Sequence, residues 1–491
     1  MSDVVLVYPT VGTDTKGLNV TLPLAVLSVA STLVTEFDVK IIDQRTSPDW
    51  RAELLRELRS RPLCVGISSL TGSQIYYGLE VSRFVKERAG GVPTVWGGMH
   101  PTLAMDSTIK HPLVDYAIQG EGEIAFRDLA RALADKRGFE KVSGLSWKQD
   151  GSVRANREGE PLDMDSLPKI PYHLVNIEDY VSPAQWLYPG MARLLPFQGT
   201  RGCPFKCTFC SEPALTKRYR MMDPKLVYEN LLEIVQRYKL DHVVFYDEEF
   251  FVNVKWAMKV AELINGQFTW WTQTRANDLL RVDLKKLEKW GMLITAPGLE
   301  SGSNRILKFI KKQETVEEYL EANRRLAETK IIPQYNFIIG YPTETRDELY
   351  ETMDLALRLV EENPNVVVNS FSPLTPLPGT EMLKVAAQHG FTVPETLEGW
   401  IAITRHRLPT PWQQRDRELI ENVMYTSYFV AGTAERWTQA WPLVPARMIE
   451  LYSAIVRRRW RKRKFKRSAD IRILRLLHRY FNPVDFIDAA C

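Results

Sequence analysis

The sequence predicts an α/β protein made of consecutive domains: a doubly wound sheet first, then a partial (β/α)6 TIM-type barrel, then a mainly helical carboxyl-terminal region. Three observations predict it. A chain of 491 residues is too long for one hydrophobic core. Short apolar runs alternate with stretches of helical periodicity as far as about residue 390, the signature of parallel strands and crossover helices. Between the two series lies a loop holding three of the five cysteines, Cys203, Cys207 and Cys210. The boundaries read from this pattern are 1–140, a hairpin and linker over 141–195, a barrel over 196–390, and 391–491.

In the first domain the buried runs are residues 4 to 8, 38 to 43, 63 to 68 and 93 to 97, with a fifth expected over 114 to 118 and a helix to about 135. Ligands of such sheets lie at the carboxyl ends of the strands. Those ends carry Asp43, the run Ser68-Ser69-Leu70-Thr71-Gly72, and Gly97-Gly98-Met99-His100-Pro101. Paired glycines let backbone approach a large flat ligand, and hydroxyls bind amides or phosphate. A flavodoxin-like or plain Rossmann domain shares these features. Asp150-Gly151 marks a hairpin, and residues 158 to 195, rich in proline and aromatics, read as an ordered linker.

The cysteine loop has the spacing Cys-x3-Cys-x2-Cys and is tightened by Gly202 and Pro204. A structural zinc wants a fourth ligand, and iron-sulfur clusters are usually held by four cysteines. No fourth is near, so a cluster held here leaves one iron open to a ligand that is not protein.

Behind the loop, strand and helix repeat to make about six units. Chemistry in such barrels sits at the strands' carboxyl ends. Asp247, Glu248 and Glu249 end the second strand, Arg275 the third, Glu300 the fourth, and Gly340 to Glu344 the fifth.

The cysteine spacing, with aromatic Phe209 before the third cysteine, resembles the radical SAM superfamily. The resemblance implies a [4Fe-4S] cluster on Cys203, Cys207 and Cys210 that binds S-adenosylmethionine (SAM) and yields a 5'-deoxyadenosyl radical, with electrons from a ferredoxin- or flavodoxin-type donor. Phe337 to Glu344 is similar to the family's adenine-supporting stretch, with Asn336 where a glycine often stands. That likeness assigns Gly340, Pro342 and Glu344 to SAM, with Glu300 near its methionine and ribose and Arg275 alongside. Gly-Gly-Met-His-Pro-Thr and Gln-Gly-Glu-Gly-Glu ahead of the cysteine motif resemble the cobalamin (B12)-binding group of this superfamily. The cofactor contacts implied there are Ser68, Ser69, Thr71, Gly97 and Gly98. One departure stands out: Asp43-Gln44-Arg45 puts arginine where many cobalamin domains have the histidine that ligates cobalt, and a protonated guanidinium is no ligand.

The resemblance implies carbon methylation of a hydrophobic or membrane-associated small molecule, or else oxidative cyclisation or rearrangement of a tetrapyrrole or lipid. A tRNA-modifying enzyme is disfavoured, since radical SAM methylthiotransferases carry three further cysteines and only Cys64 stands in this amino-terminal domain. No catalytic side chain is singled out. No apolar run is long enough to span a bilayer, and scarce cysteine fits a reducing, cytoplasmic compartment. The net charge is +4, yet residues 457 to 467 hold nine basic side chains and no acidic one, leaving −5 for the rest. Trp460 and Phe465 interrupt that block, and Ile471, Ile473, Leu474 and Leu477 follow at helical spacing. Residues 445–480 are therefore expected to meet an anionic membrane surface through a basic, partly apolar face.

Overall fold

The computed structural model describes residues 2–12, 20–181, 192–404, 407–431, 444–465, 468–473 and 476. The first sheet has strands β1 (Val4–Tyr8), β2 (Val39–Asp43), β3 (Cys64–Ser68), β4 (Thr94–Gly97), β5 (Tyr116–Ile118), β6 (Leu145–Gln149) and β7 (Ser152–Ala155), in the order β2-β1-β3-β4-β5-β6-β7. The first five are parallel and the last two antiparallel. This is the doubly wound order whose ligand crevice opens beside β1 and β3. Val4, Val5, Leu6 and Val7 are all buried, as a strand covered by helices on both faces requires. The hairpin falls where Asp150-Gly151 places it, between β6 and β7.

The second sheet is built from β8 (Leu194–Phe197), β11 (His242–Phe245), β12 (Thr269–Thr274), β13 (Met292–Glu300), β14 (Ile332–Ile339) and β15 (Val367–Pro373). All neighbours are parallel in the order β15-β14-β13-β12-β11-β8, so six strand-helix units form a barrel left open between its first and last strands. Leu194, Val244, Trp271, Ile294 and Ala296 pack together as a separate apolar core. Between β8 and β11 the chain makes a short antiparallel ribbon, β9 (Thr200–Arg201) with β10 (Arg220–Met221), and the cysteine loop is the segment this ribbon closes.

The carboxyl-terminal region is helical where described, with helices Pro411–Arg415, Arg417–Thr426 and Ala446–Arg461. It caps the barrel: Trp412 Nε1 donates to the Gly340 carbonyl at 2.8 Å, just beyond β14.

One expectation about the tail is corrected. Trp460 and Phe465 are buried, the first donating its indole N–H to Thr426 Oγ1 and meeting Phe371 edge-on, the second stacking on Tyr350. Ile471 is buried too. A basic block next to a large apolar surface turns its aromatics inward, because burial of an indole or phenyl ring outweighs its neighbours' charges, which snorkel to solvent. Ile473 is exposed as expected, while Leu474 and Leu477 lie outside the described residues.

Candidate active site between two domains

The three cysteines stand half-buried on the loop between β9 and β10. The loop is stitched to its surroundings by backbone bonds: Thr208 N–H donates to the Ile310 carbonyl, and the Thr208 carbonyl accepts from Met382. Burial pushes Cys203 up to about 12 and Cys210 up to about 11. Burial raises Cys207 as well, with Lys312 and Arg275 pulling it back. A thiolate set is thus disfavoured without a metal and becomes the natural state once iron replaces the protons. Among the described residues no three acidic, histidine or cysteine side chains close around a point as a single ion demands. A cubane asks for less, since each cysteine ligates a different iron, and the three thiols on one loop fit that requirement.

Next to Cys207 lies a buried charge network. Lys312 Nζ is 3.3 Å from Glu300 Oε1 and 3.4 Å from Glu314 Oε2, and Arg275 is 3.4 Å from the same Glu314 oxygen. The Arg275 guanidinium lies 3.8 Å over the Phe205 ring of the cysteine loop. Glu300 is reached through a left-handed backbone conformation, φ +65°, which is strained for a non-glycine residue and aims its carboxylate inward. Several buried polar atoms here make no hydrogen bond: Arg275 Nε, Tyr341 Oη and Glu344 Oε1. A buried group left unbonded is costly unless a ligand completes it. SAM carries an ammonium, a carboxylate, ribose hydroxyls and an adenine, and these residues suit it.

The expected SAM residues Arg275 and Glu300 therefore belong to one network, with Phe209 packed on the core. Gly340 is engaged within its own turn, its N–H donating to Glu344 Oε2 at 2.5 Å and its carbonyl accepting from Trp412. Pro342 lines a smaller cavity of about 220 Å³ with Glu344 and Trp412. Lys312 was not legible in the sequence, where Lys311-Lys312-Gln313-Glu314 reads as a solvated charge run, and only burial singles it out.

A cavity of about 860 Å³ separates this loop from the first sheet. Its sheet side is lined by Ser68, Gly97, Gly98, Met99, Gly120 and Gly122 and reaches down to Leu6, Gly66, Val95 and Phe126. A β-carbon at Gly66 would clash with Leu6 and Phe126 at 2.7 Å, whereas one at Gly97 would meet nothing within 4 Å. The barrel side is lined by Gln198, Arg201, Glu212, Tyr246 and Glu248, and the linker closes the edge with Met164, Leu167, Pro168 and Tyr172. A wide mouth of bare glycine backbone over an apolar shaft fits a flat macrocycle with an appended nucleotide, which is the shape of cobalamin.

Ser68, Gly97 and Gly98 line the cavity, whereas Ser69 and Thr71 do not. The Ser69 hydroxyl turns to the Leu70 carbonyl, and the Thr71 hydroxyl lies 2.9 Å from His100 Nδ1. His100 is buried edge-on against Trp400, also outside the lining. Arg45 is held by both oxygens of Asp43 and by the Thr21 carbonyl, and covers the Tyr8 ring. Of the acidic trio at the end of β11, Glu248 faces the cavity while Asp247 and Glu249 are buried behind it. Burial raises Asp247 to about 7 and Glu248 to about 8.

The fold and site define a class: a two-domain enzyme pairing an iron-sulfur radical centre with a cobalamin cavity. The profile described as the Radical SAM superfamily matches residues 197–356, and that of the B12 binding domain residues 14–130. An uncharacterized methyltransferase of Pyrococcus horikoshii, PH0819, is 30% identical over 375 residues, which are 74% of this chain and 78% of the relative. The anaerobic magnesium-protoporphyrin IX monomethyl ester cyclase of Cereibacter sphaeroides is 29% identical over 359 residues, 69% of this chain and 56% of the cyclase. Among solved structures, the cobalamin-dependent SAM radical enzyme OxsB, with aqua-cobalamin and SAM bound, superposes with a TM-score of 0.64 at 17% identity, covering 99% of this chain and 76% of OxsB. At that identity the likeness is one of fold. The chain belongs to the family of cobalamin-dependent radical SAM enzymes, whose cofactors are a [4Fe-4S] cluster, SAM and cobalamin.

Proposed function

We propose that this enzyme methylates an unactivated carbon of a hydrophobic or membrane-associated small molecule. The observation that carries the reading is the cavity itself, which runs from the cobalamin-type sheet to Glu212, Leu215 and Thr216 at the far end of the cysteine loop. When bound, the cluster with SAM supplies a radical for hydrogen abstraction and cobalamin supplies a transferable methyl group. The chain's own residues do the rest. Lys312 and Glu300 offer a cation and an anion to the two charged ends of an amino acid moiety, and their mutual contact keeps both in place until then. The linker covers one edge of the cavity, and Trp412 covers the turn after β14.

The hydrophobic-substrate part of the reading is supported by the outer face of helix Ala446–Arg461. Met448, Leu451 and Ile455 are exposed at helical spacing and lead into exposed Arg458 and Lys462. An apolar stripe edged with arginine and lysine matches an anionic bilayer surface, and among the described residues no helix is long and apolar enough to cross a membrane.

Product analysis tests the reaction type. The reconstituted enzyme, supplied with cobalamin, a reductant, SAM labelled in its methyl group and a lipid extract, should release both S-adenosylhomocysteine and 5'-deoxyadenosine and place label in an extract component. A cyclase or rearrangement enzyme would give 5'-deoxyadenosine with no S-adenosylhomocysteine.

A further inference from the structure

The cysteine loop is a long insertion whose stem is only the two-residue ribbon β9–β10, and a stem that short does not fix a loop by itself. In its register Arg201 stands opposite Arg220. Both side chains reach out of the barrel domain to the β5 turn of the first sheet. Arg201 Nη1 donates to Glu121 Oε1 at 3.1 Å and its Nη2 to Glu123 Oε1 at 2.6 Å and to Ser28 Oγ at 3.1 Å. Arg220 grips Glu121 with both terminal nitrogens, at 2.7 and 3.0 Å, and also donates to the Leu162 carbonyl. The Leu162 N–H donates back to Glu121 Oε2 at 2.8 Å, which ties the linker into the same knot.

These groups are largely withdrawn from water, with side-chain exposures of 14% for Arg201, 10% for Arg220, 19% for Glu121 and 4% for Glu123. Desolvating four charges is expensive, and well-packed apolar residues would hold two domains together as firmly. What planar guanidinium-carboxylate pairs add is direction, because each fork fits only one orientation of its partner. The place is also telling. Arg201 is two residues from Cys203, Glu121 and Glu123 alternate with Gly120 and Gly122 of the cavity wall, and Ser28, Glu121, Glu123 and Arg201 all line that cavity.

We infer that the network of Arg201, Arg220, Glu121 and Glu123 is a positioning latch that fixes the separation and orientation between the cluster and the cobalamin, acting through the loop stem and touching neither the iron nor the reacting carbon. The inference rests on the family's pair of cofactors and is independent of the substrate. It deepens the catalytic account, since one substrate carbon would have to lie within reach of both the hydrogen-abstracting and the methyl-carrying cofactor, which requires a set separation between them.

The test uses the full chain with Arg201→Lys, Glu121→Gln and Glu123→Gln, each reconstituted with cluster and cobalamin. In samples containing both the reduced cluster and Co(II), electron paramagnetic resonance reports their dipolar interaction, which falls with the cube of the separation. The latch predicts a cluster iron content like the parent's, with the dipolar splitting of the cobalamin-loaded fraction smeared into a broader distribution. A splitting as sharp as the parent's in all three variants would overturn the inference. So would joint loss of iron and cobalamin in all three, which would make the network a requirement for folding and not a positioning device.

Discussion

Burial at the end of its strand favours the neutral form of Glu248. It leaves β11 into a half-closed space, accepts from Gly202 N–H at 3.2 Å, and has Glu212 as a further negative neighbour, so burial first and then that neighbour raise it to about 8. The sign of the consequence follows from proton counts. From the ordinary value of 4.5 up to about 8 the folded chain keeps a proton that the unfolded chain has released, so this residue's contribution to stability falls as pH rises through that window and levels off above it. Glu248→Gln removes the dependence. Urea unfolding of the cofactor-free protein should show the variant more stable than the parent by up to about 5 kcal/mol near pH 9, with no difference near pH 4. Equal stabilities at alkaline pH would mean that the carboxylate ionises there without penalty. Residues of this kind divide by what the sequence reveals. Cys203, Cys207 and Cys210 are legible because their spacing is local, whereas Lys312 and Arg201 look like ordinary surface charges and acquire their roles only from partners, Glu300 for one and Glu123 for the other.

At the scale of elements, helix Ala446–Arg461 shows both the strength and the limit of pattern reading. Its helical periodicity was legible, and so was its mixture of aliphatic and basic residues. Which face turns inward was not, because that is decided by contacts with Phe371 and Thr426 far away in the chain. The inward face is Ile449, Ser453, Val456 and Trp460, and the outward face is Met448, Leu451 and Ile455. Arg461 and Arg463 are paired with Glu361 and Asp354, which leaves Arg458 and Lys462 beside the apolar stripe. Removing the segment would open the core, so point changes are the cleaner test. Leu451→Glu with Ile455→Glu should lower binding to vesicles containing anionic lipid by about tenfold or more, since two apolar side chains are lost to the bilayer and two repulsive charges gained. Iron content should stay unchanged. Vesicle binding equal to the parent's would remove this face from the account. The strands tell the opposite story: β1 and β3 were legible as unbroken apolar runs because a strand covered on both faces needs nothing else.

At the scale of the whole molecule, two domains legible one by one in the sequence leave between them a cavity that neither contains alone. Gly97 and Gly98, a glycine pair at a strand end, are legible as an approach for a flat ligand, but the opposite wall, made of Gln198, Tyr246, Glu248 and the linker at Met164 to Tyr172, depends on how the domains dock. No local pattern carries that information. Gly97 allows a direct test of cobalamin binding in this cavity. A β-carbon there meets no atom within 4 Å and Gly97 lines the cavity, so Gly97→Trp should leave the fold intact and project an indole into the space. Anaerobic titration with cobalamin, followed by corrin absorption, should show one cobalamin bound per parent chain, and Gly97→Trp should lose that binding while keeping its cluster iron. Binding by Gly97→Trp as tight as the parent's would contradict the account.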